Sequence, residues 1–292
     1  MGEKAKKKKT KGFHLKATIS VMLASSCIAV CGCAGAPAGN EKDTAAESTE
    51  TTPSSSAQKT ETATTENKEK DTAESGKERE EMVRVGDVQL SVKEAGTGPD
   101  LILIHGRTLS KESMDTIFNY YKENYHVISY DVRGHGETIS PGGRCTMDDL
   151  SDDLVGLIKE KNLYKPAIIG FSMGSYIGLR TAERYPDLLS GLVLIGTRGK
   201  GNVNTYFEDD EVSYAMDTFD NMTDAAKVDI PALVISGEYD NINPAEEGRK
   251  VADILPDSEF LIVPDVGHSA HTWNLSLFCW KTDTFLKELK RR

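Results

Sequence analysis

Between residues 82 and 292, short apolar runs alternate with stretches in which apolar residues return every three or four positions. Runs of the first kind predict buried strands, and stretches of the second kind predict amphipathic helices. Residues 82–85 and 88–95 read as two edge strands split by a Gly86-Asp87 turn. Further strands are expected at 101–105, 126–131, 166–170, 191–196, 232–237 and 260–263. Helices are expected at 112–125, 146–162, 173–184, 246–255 and 276–289. Short, continuously apolar strands separated by helices predict an α/β domain whose mostly parallel sheet is covered by helices on both faces. One interval breaks the rhythm: 197–230 shows no clear strand and sits between two strands that should be consecutive. An insertion of that kind is usually functional, and a short cap over about 198–230 is expected. Val212, Met216 and Phe219 are spaced for one helical face and predict a single lid helix. Tyr206, Phe207, Met216 and Phe219 are the candidates to touch a substrate, and covering the core is an equal alternative for them.

The first 81 residues follow other rules. Lys4, Lys6, Lys7, Lys8, Lys9, Lys11 and Lys16 precede an apolar stretch at about 17–30. That stretch is short for a bilayer span and suits the core of a signal peptide. Val30-Cys31-Gly32-Cys33 then resembles a bacterial lipobox. Gly32 favours Cys33 as the lipidated residue, Cys27 is the fallback, and the bulky Val30 disfavours Cys31. The resemblance implies a signal peptide at 1–32 and a membrane anchor at Cys33; an uncleaved signal anchor is the alternative. Either places the domain outside the cytoplasmic membrane. Residues 34–80 contain no Val, Ile, Leu, Met, Phe, Tyr or Trp. With no apolar area to offset ordering entropy, the stretch from 33 to 81 reads as a disordered tether reaching roughly 40 Å.

Composition then narrows the partners. Without residues 1–32, which hold seven Lys and one Glu, the chain has 28 basic against 45 acidic residues, a net charge near −17. So acidic a surface repels nucleic acid. Cys145 and Cys279 could pair outside the cell, but two separately buried thiols are the preferred reading. No motif points to a metal or an organic cofactor.

The chemistry concentrates around Gly170-Phe171-Ser172-Met173-Gly174, a G-x-S-x-G directly between a predicted strand and a predicted helix. Such a turn strains its central residue and needs small neighbours, and it holds the Ser hydroxyl at a helix N-terminus. A Ser hydroxyl needs a base. His268 follows the last predicted strand, at the same edge of the sheet as Ser172, where ligands of open α/β sheets bind. His271 is read as a bystander. Asp240, past the end of the strand 232–237, is the candidate to orient His268, with Glu238 and Asp265 as competitors.

The order Ser172, Asp240, His268 on strand ends resembles the α/β-hydrolase fold family. The segment Leu101-Ile102-Leu103-Ile104-His105-Gly106 is similar to that family's strand before the oxyanion hole. Asp131-Val132-Arg133-Gly134-His135-Gly136-Glu137-Thr138 is similar to its D-x-R-G-x-G-x-S loop, with Thr138 in place of Ser. The resemblance covers roughly 82–292. It implies oxyanion donors at the backbone N–H groups of Arg107 and Met173, leaves the Arg107 side chain to line the entrance, and gives His105, Asp131 and Arg133 structural roles. The function implied is a serine hydrolase of carboxylesterase type acting on a small ester. The acidic run Glu208-Asp209-Asp210-Glu211 suggests an uncharged substrate. Cofactor-free haloperoxidases and carbon–carbon bond hydrolases resemble the same family and remain alternatives, as does a catalytically retired surface lipoprotein that only binds.

Overall fold

The computed structural model describes residues 76–201 and 210–291. The signal peptide, Cys33, most of the tether, Tyr206 and Phe207 lie outside the described residues. Eight strands form one sheet in the order β1-β2-β4-β3-β5-β6-β7-β8. β1 (Arg79–Val85) and β2 (Val88–Ala95) make an antiparallel hairpin, and β2 pairs antiparallel with β4 (His126–Tyr130). From β4 onward every neighbour is parallel, through β3 (Asp100–Ile104), β5 (Ala167–Phe171), β6 (Gly191–Ile195), β7 (Ala232–Gly237) and β8 (Ser258–Val263). The expected mostly parallel sheet is therefore present, and β1 starts slightly ahead of Met82.

The apolar runs are continuous because each strand feeds two cores at once. Successive side chains of a strand point to opposite faces. Along β3, Leu101 and Leu103 enter one core while Ile102 and Ile104 enter the other. The first face is covered by α1 (Asp115–Tyr121) and α8 (Leu275–Leu289), through Phe118, Tyr121, Phe278 and Phe285. The second is covered by α2 (Met147–Glu160), α3 (Met173–Arg184) and α6 (Ala245–Ile254). Cys279 lies in the first core and Cys145 in the second, and both are free thiols.

Two predicted elements differ from those observed, and one observed helix has no counterpart in the prediction. The helix expected at 112–125 is a 3-10 turn, Lys111–Met114, followed by the shorter α1. Lys111 is buried there, with its backbone N 2.7 Å and its Nζ 3.1 Å from the Asp131 carboxylate, which pins the segment before a regular helix starts. The single lid helix is instead a pair, α4 (Ser213–Thr218) and α5 (Asn221–Ala225). Phe219 between them is extended, and the Asp220 side chain accepts from Thr223 N to open the second helix. A four-residue helix, α7 (Ala270–Trp273), was not anticipated.

The loop 131–138 is held by its own polar groups. Asp131 also accepts from Glu137 N at 3.0 Å, and a Cβ on Gly136 would fall 2.2 Å from that carboxylate. Thr138 donates to Asp131 O at 2.6 Å and accepts from Ser91 N at 2.9 Å, so Thr serves where Ser is usual. Arg133 makes a two-point ion pair with Asp153 of α2, 2.8 Å at each contact.

Candidate active site

Ser172 stands at the turn between β5 and α3 with φ 50° and ψ −111°. That region is sparsely populated for a residue with a side chain and costs of order 1–3 kcal/mol. The flanking glycines make the turn possible. A Cβ on Gly170 would lie 2.3 Å from Gly174 O, and one on Gly174 would lie 2.2 Å from Ile104 O of β3. Helix and sheet thus meet backbone to backbone, and Ser172 N donates to Ile195 O at 2.8 Å.

The loops after β7 and β8 bring the next two groups together. His268 Nδ1 and Asp240 Oδ2 are 2.7 Å apart. The other Asp240 oxygen accepts from the backbone N–H groups of Ile242 at 2.9 Å and Asn243 at 2.8 Å. Asp240 is therefore buried with every contact an N–H donor, so the Nδ1 proton of His268 goes to it and Nε2 is left for proton transfer. Glu238 instead accepts from Asp265 N at 3.1 Å, and the carboxylate in contact with His268 is that of Asp240. The His268 ring packs on Phe171, 4.9 Å between centroids, and against Gly196, where a Cβ would come 2.8 Å from Cε1. Ser172 and His268 line one cavity of about 280 Å³.

Arg107 and Met173 line the same cavity. Met173 N is in the first turn of α3, whose dipole favours a developing negative charge there. Arg107 follows Gly106, which sits against Phe171 and Ser172 with no room for a side chain of its own. His105 fixes this stretch: Nε2 accepts from Val132 N at 3.0 Å, so Nδ1 is the donor to Gly106 O at 2.8 Å. Burial pushes the His105 pKa down to about 4, keeping the ring neutral and its donor fixed. The Arg107 side chain is not left over for the entrance alone. It grips the start of the cap, Nε and Nη2 each 3.0 Å from Asp210 and Nη2 2.7 Å from Ser213 Oγ.

Of the cap candidates, Met216 and Phe219 line the cavity and are also buried in the core, where Val212 joins them. His271 is buried against Phe171, 4.6 Å between centroids, and burial again takes its pKa down to about 4. Three cavity residues had no role in the sequence reading. Tyr176 lies one helical turn beyond Ser172, buried, and stacks on Phe219 at 4.2 Å. Burial pushes its hydroxyl up to about 12, against hydrogen bonds from Asn243 and Ser172. Asn243 Nδ2 donates to Tyr176 Oη at 2.7 Å and to Gly196 O at 2.6 Å, locking the acid loop to the helix of the nucleophile. Arg198 follows the end of β6. The signals were present: a tyrosine four positions past Ser172, and a polar or charged residue just beyond a strand's carboxyl end. Among the described residues no cluster of metal-ligating side chains occurs.

Comparison with known proteins agrees with this fold. A family model described as alpha/beta hydrolase fold matches residues 99–226, and one described as TAP-like protein matches 214–289. The chain is 28% identical over 262 residues to 2-hydroxy-6-oxo-6-(2'-aminophenyl)hexa-2,4-dienoic acid hydrolase of Metapseudomonas resinovorans, covering 71% of this chain and 90% of that protein. It is 23% identical to pyrrolizixenacetamide deacetylase of Xenorhabdus hominickii, over 70% of this chain and 97% of that one. Among solved structures it is similar to a thermophilic esterase from Thermogutta terrifontis, with a TM-score of 0.64 and 22% identity, covering 73% of this chain and 99% of that chain.

Proposed function

We propose that this chain is an α/β hydrolase with serine-hydrolase chemistry on a small ester, with Ser172 as nucleophile, His268 as base and Asp240 as its orienting carboxylate. His268 Nε2 takes the Ser172 proton as Oγ attacks the carbonyl carbon. The backbone N–H groups of Arg107 and Met173 hold the oxyanion, each such donor being worth about 3 kcal/mol of barrier. The tetrahedral adduct collapses, His268 protonates the leaving alcohol, and the acyl group stays on Ser172. Water, deprotonated by His268, then releases the acid. The observation that carries the reading is the 2.7 Å contact between Asp240 and His268 at the cavity that a strained Ser172 also lines.

Ser172→Ala is expected to abolish turnover of a short p-nitrophenyl ester and labelling by a fluorophosphonate probe, with the melting temperature retained. Unchanged turnover refutes the assignment. Carbon–carbon bond hydrolysis by the same three residues is the second reading, favoured by the similarity to the hexa-2,4-dienoic acid hydrolase; a substrate panel separates the two.

We also infer that the domain is extracytoplasmic and anchored through lipidated Cys33. The support is the Lys-rich start, the short apolar stretch and the Gly32-Cys33 pair. Cys33→Ala should move the protein from the membrane fraction to the soluble one. Retention in the membrane by that variant, together with release by Cys27→Ala, shifts the anchor to Cys27.

A further inference from the structure

The charge inside the cavity is one-sided. Two arginines and no Asp or Glu side chain line it among the described residues. Around them the wall is mostly apolar, with Phe171, Met173, Met216, Phe219 and Ile242. The arginines are not equivalent. Arg107 is paired with Asp210 through two contacts. Arg198 has no ion pair among the described residues, and its Nε is buried with no hydrogen-bond partner. Its place is fixed, because Asn221 Nδ2 donates to Arg198 O at 2.7 Å. Glu247, a carboxylate on which its charge acts, is engaged by Lys250 at 2.5 Å and by Gly199 N at 3.4 Å. Arg198 lines the same cavity as Tyr176 and Ser172. A desolvated donor without an acceptor is costly, and the cost is recovered when a ligand supplies the acceptor.

We propose that Arg198 is the substrate-carboxylate anchor of this site, so that the esters it cleaves best carry a free carboxylate a few bonds from the scissile carbonyl. The proposal rests on the serine-hydrolase reading and names its substrate class. It reverses the expectation of an uncharged ester drawn from the acidic run at 208–211. In the described half of that run, Asp210 is spent on Arg107, and Glu211 accepts from Ser140 Oγ at 2.6 Å; neither lines the cavity. Guanidinium suits the task because its planar fork matches a carboxylate and stays charged at all working pH.

The test compares two pairs of esters with the full-length protein. One pair carries the charge in the acyl part: 4-nitrophenyl hemiglutarate against 4-nitrophenyl methyl glutarate. The other carries it in the alcohol part: 4-acetoxybenzoate against its methyl ester. In at least one pair the charged ester is expected to lead in kcat/KM by about tenfold or more, mainly through KM, with the lead shrinking as salt rises. Arg198→Gln should bring that ratio close to one, and Arg198→Lys should keep part of it. A wild-type enzyme that shows no preference in either pair overturns the proposal without reference to any variant. So does a preference that Arg198→Gln leaves intact, which would assign it to Arg107. The underlying reading fails separately: no hydrolysis of any of the four esters and no fluorophosphonate labelling of Ser172 would reject the hydrolase itself. Labelling with equal rates on charged and neutral esters rejects only the anchor.

Discussion

At the scale of single residues, the site is governed by what cannot be larger. Gly174 lets the first turn of α3 rest on β3, and an Ala there would put its Cβ 2.2 Å from the Ile104 carbonyl oxygen. Backbone cannot yield as a flexible side chain can, so Gly174→Ala must lift the helix and carry Ser172 with it. Its expected result is a loss of about 1–3 kcal/mol in stability and a far larger proportional loss in kcat than in KM. Denaturant melts and steady-state kinetics on the same preparation check it; wild-type values for both would show that the close approach is not needed. The same rule explains why Ser172 stood out in the sequence. Two glycines around a Ser between a strand and a helix have few other uses. Tyr176, Asn243 and Arg198 were not legible, because their importance comes from which groups they meet across the fold. Nothing local marks Asn243 as the bridge between Gly196 and Tyr176.

Elements were legible in proportion to how uniform their surroundings are. The parallel strands sit between two apolar layers and were predicted within a residue or two at most ends. α2 was marked at its start by Thr146 and Asp149, which cap each other with contacts of 2.7 and 3.2 Å. The cap misled for a physical reason: the 3.6-residue spacing of Val212, Met216 and Phe219 is real and all three are buried in one core, but the helix stops at Thr218 and Phe219 is extended. At the sheet's antiparallel end, charge takes over from packing. Glu94 of β2 is buried and binds Arg79 of β1, His126 of β4 and Lys161 at the end of α2. Burial alone would raise its pKa, yet these hydrogen bonds prevail and hold it near 2, below the ordinary 4.5. A carboxylate with a depressed folded pKa stabilises fully above the unfolded value. That contribution fades as pH falls from about 4.5 toward 2 and amounts to about 3 kcal/mol at most. Glu94→Gln should therefore cost stability at pH 7 and flatten its decline between pH 5 and 2. Parallel acid dependence in variant and wild type would contradict the assignment.

Across the whole molecule, the sheet is a partition. Its inner strands present alternate side chains to two separate interiors, and Ser172, Asp240 and His268 gather at the loops and turns where the parallel strands end. Arg107, Asp210 and Ser213 tie the cap to the rim, while Val212, Ala215, Met216 and Phe219 join it to the core on that face. The layout also settles the two thiols. Burial pushes both Cys145 and Cys279 up to about 12, so neither is a thiolate at neutral pH, and the partition stands between them. No covalent staple holds this domain, and its fold is indifferent to whether its surroundings oxidise or reduce. Each sulfur is instead a silent witness to its own compartment, reachable by a reagent only once that side of the protein has come open.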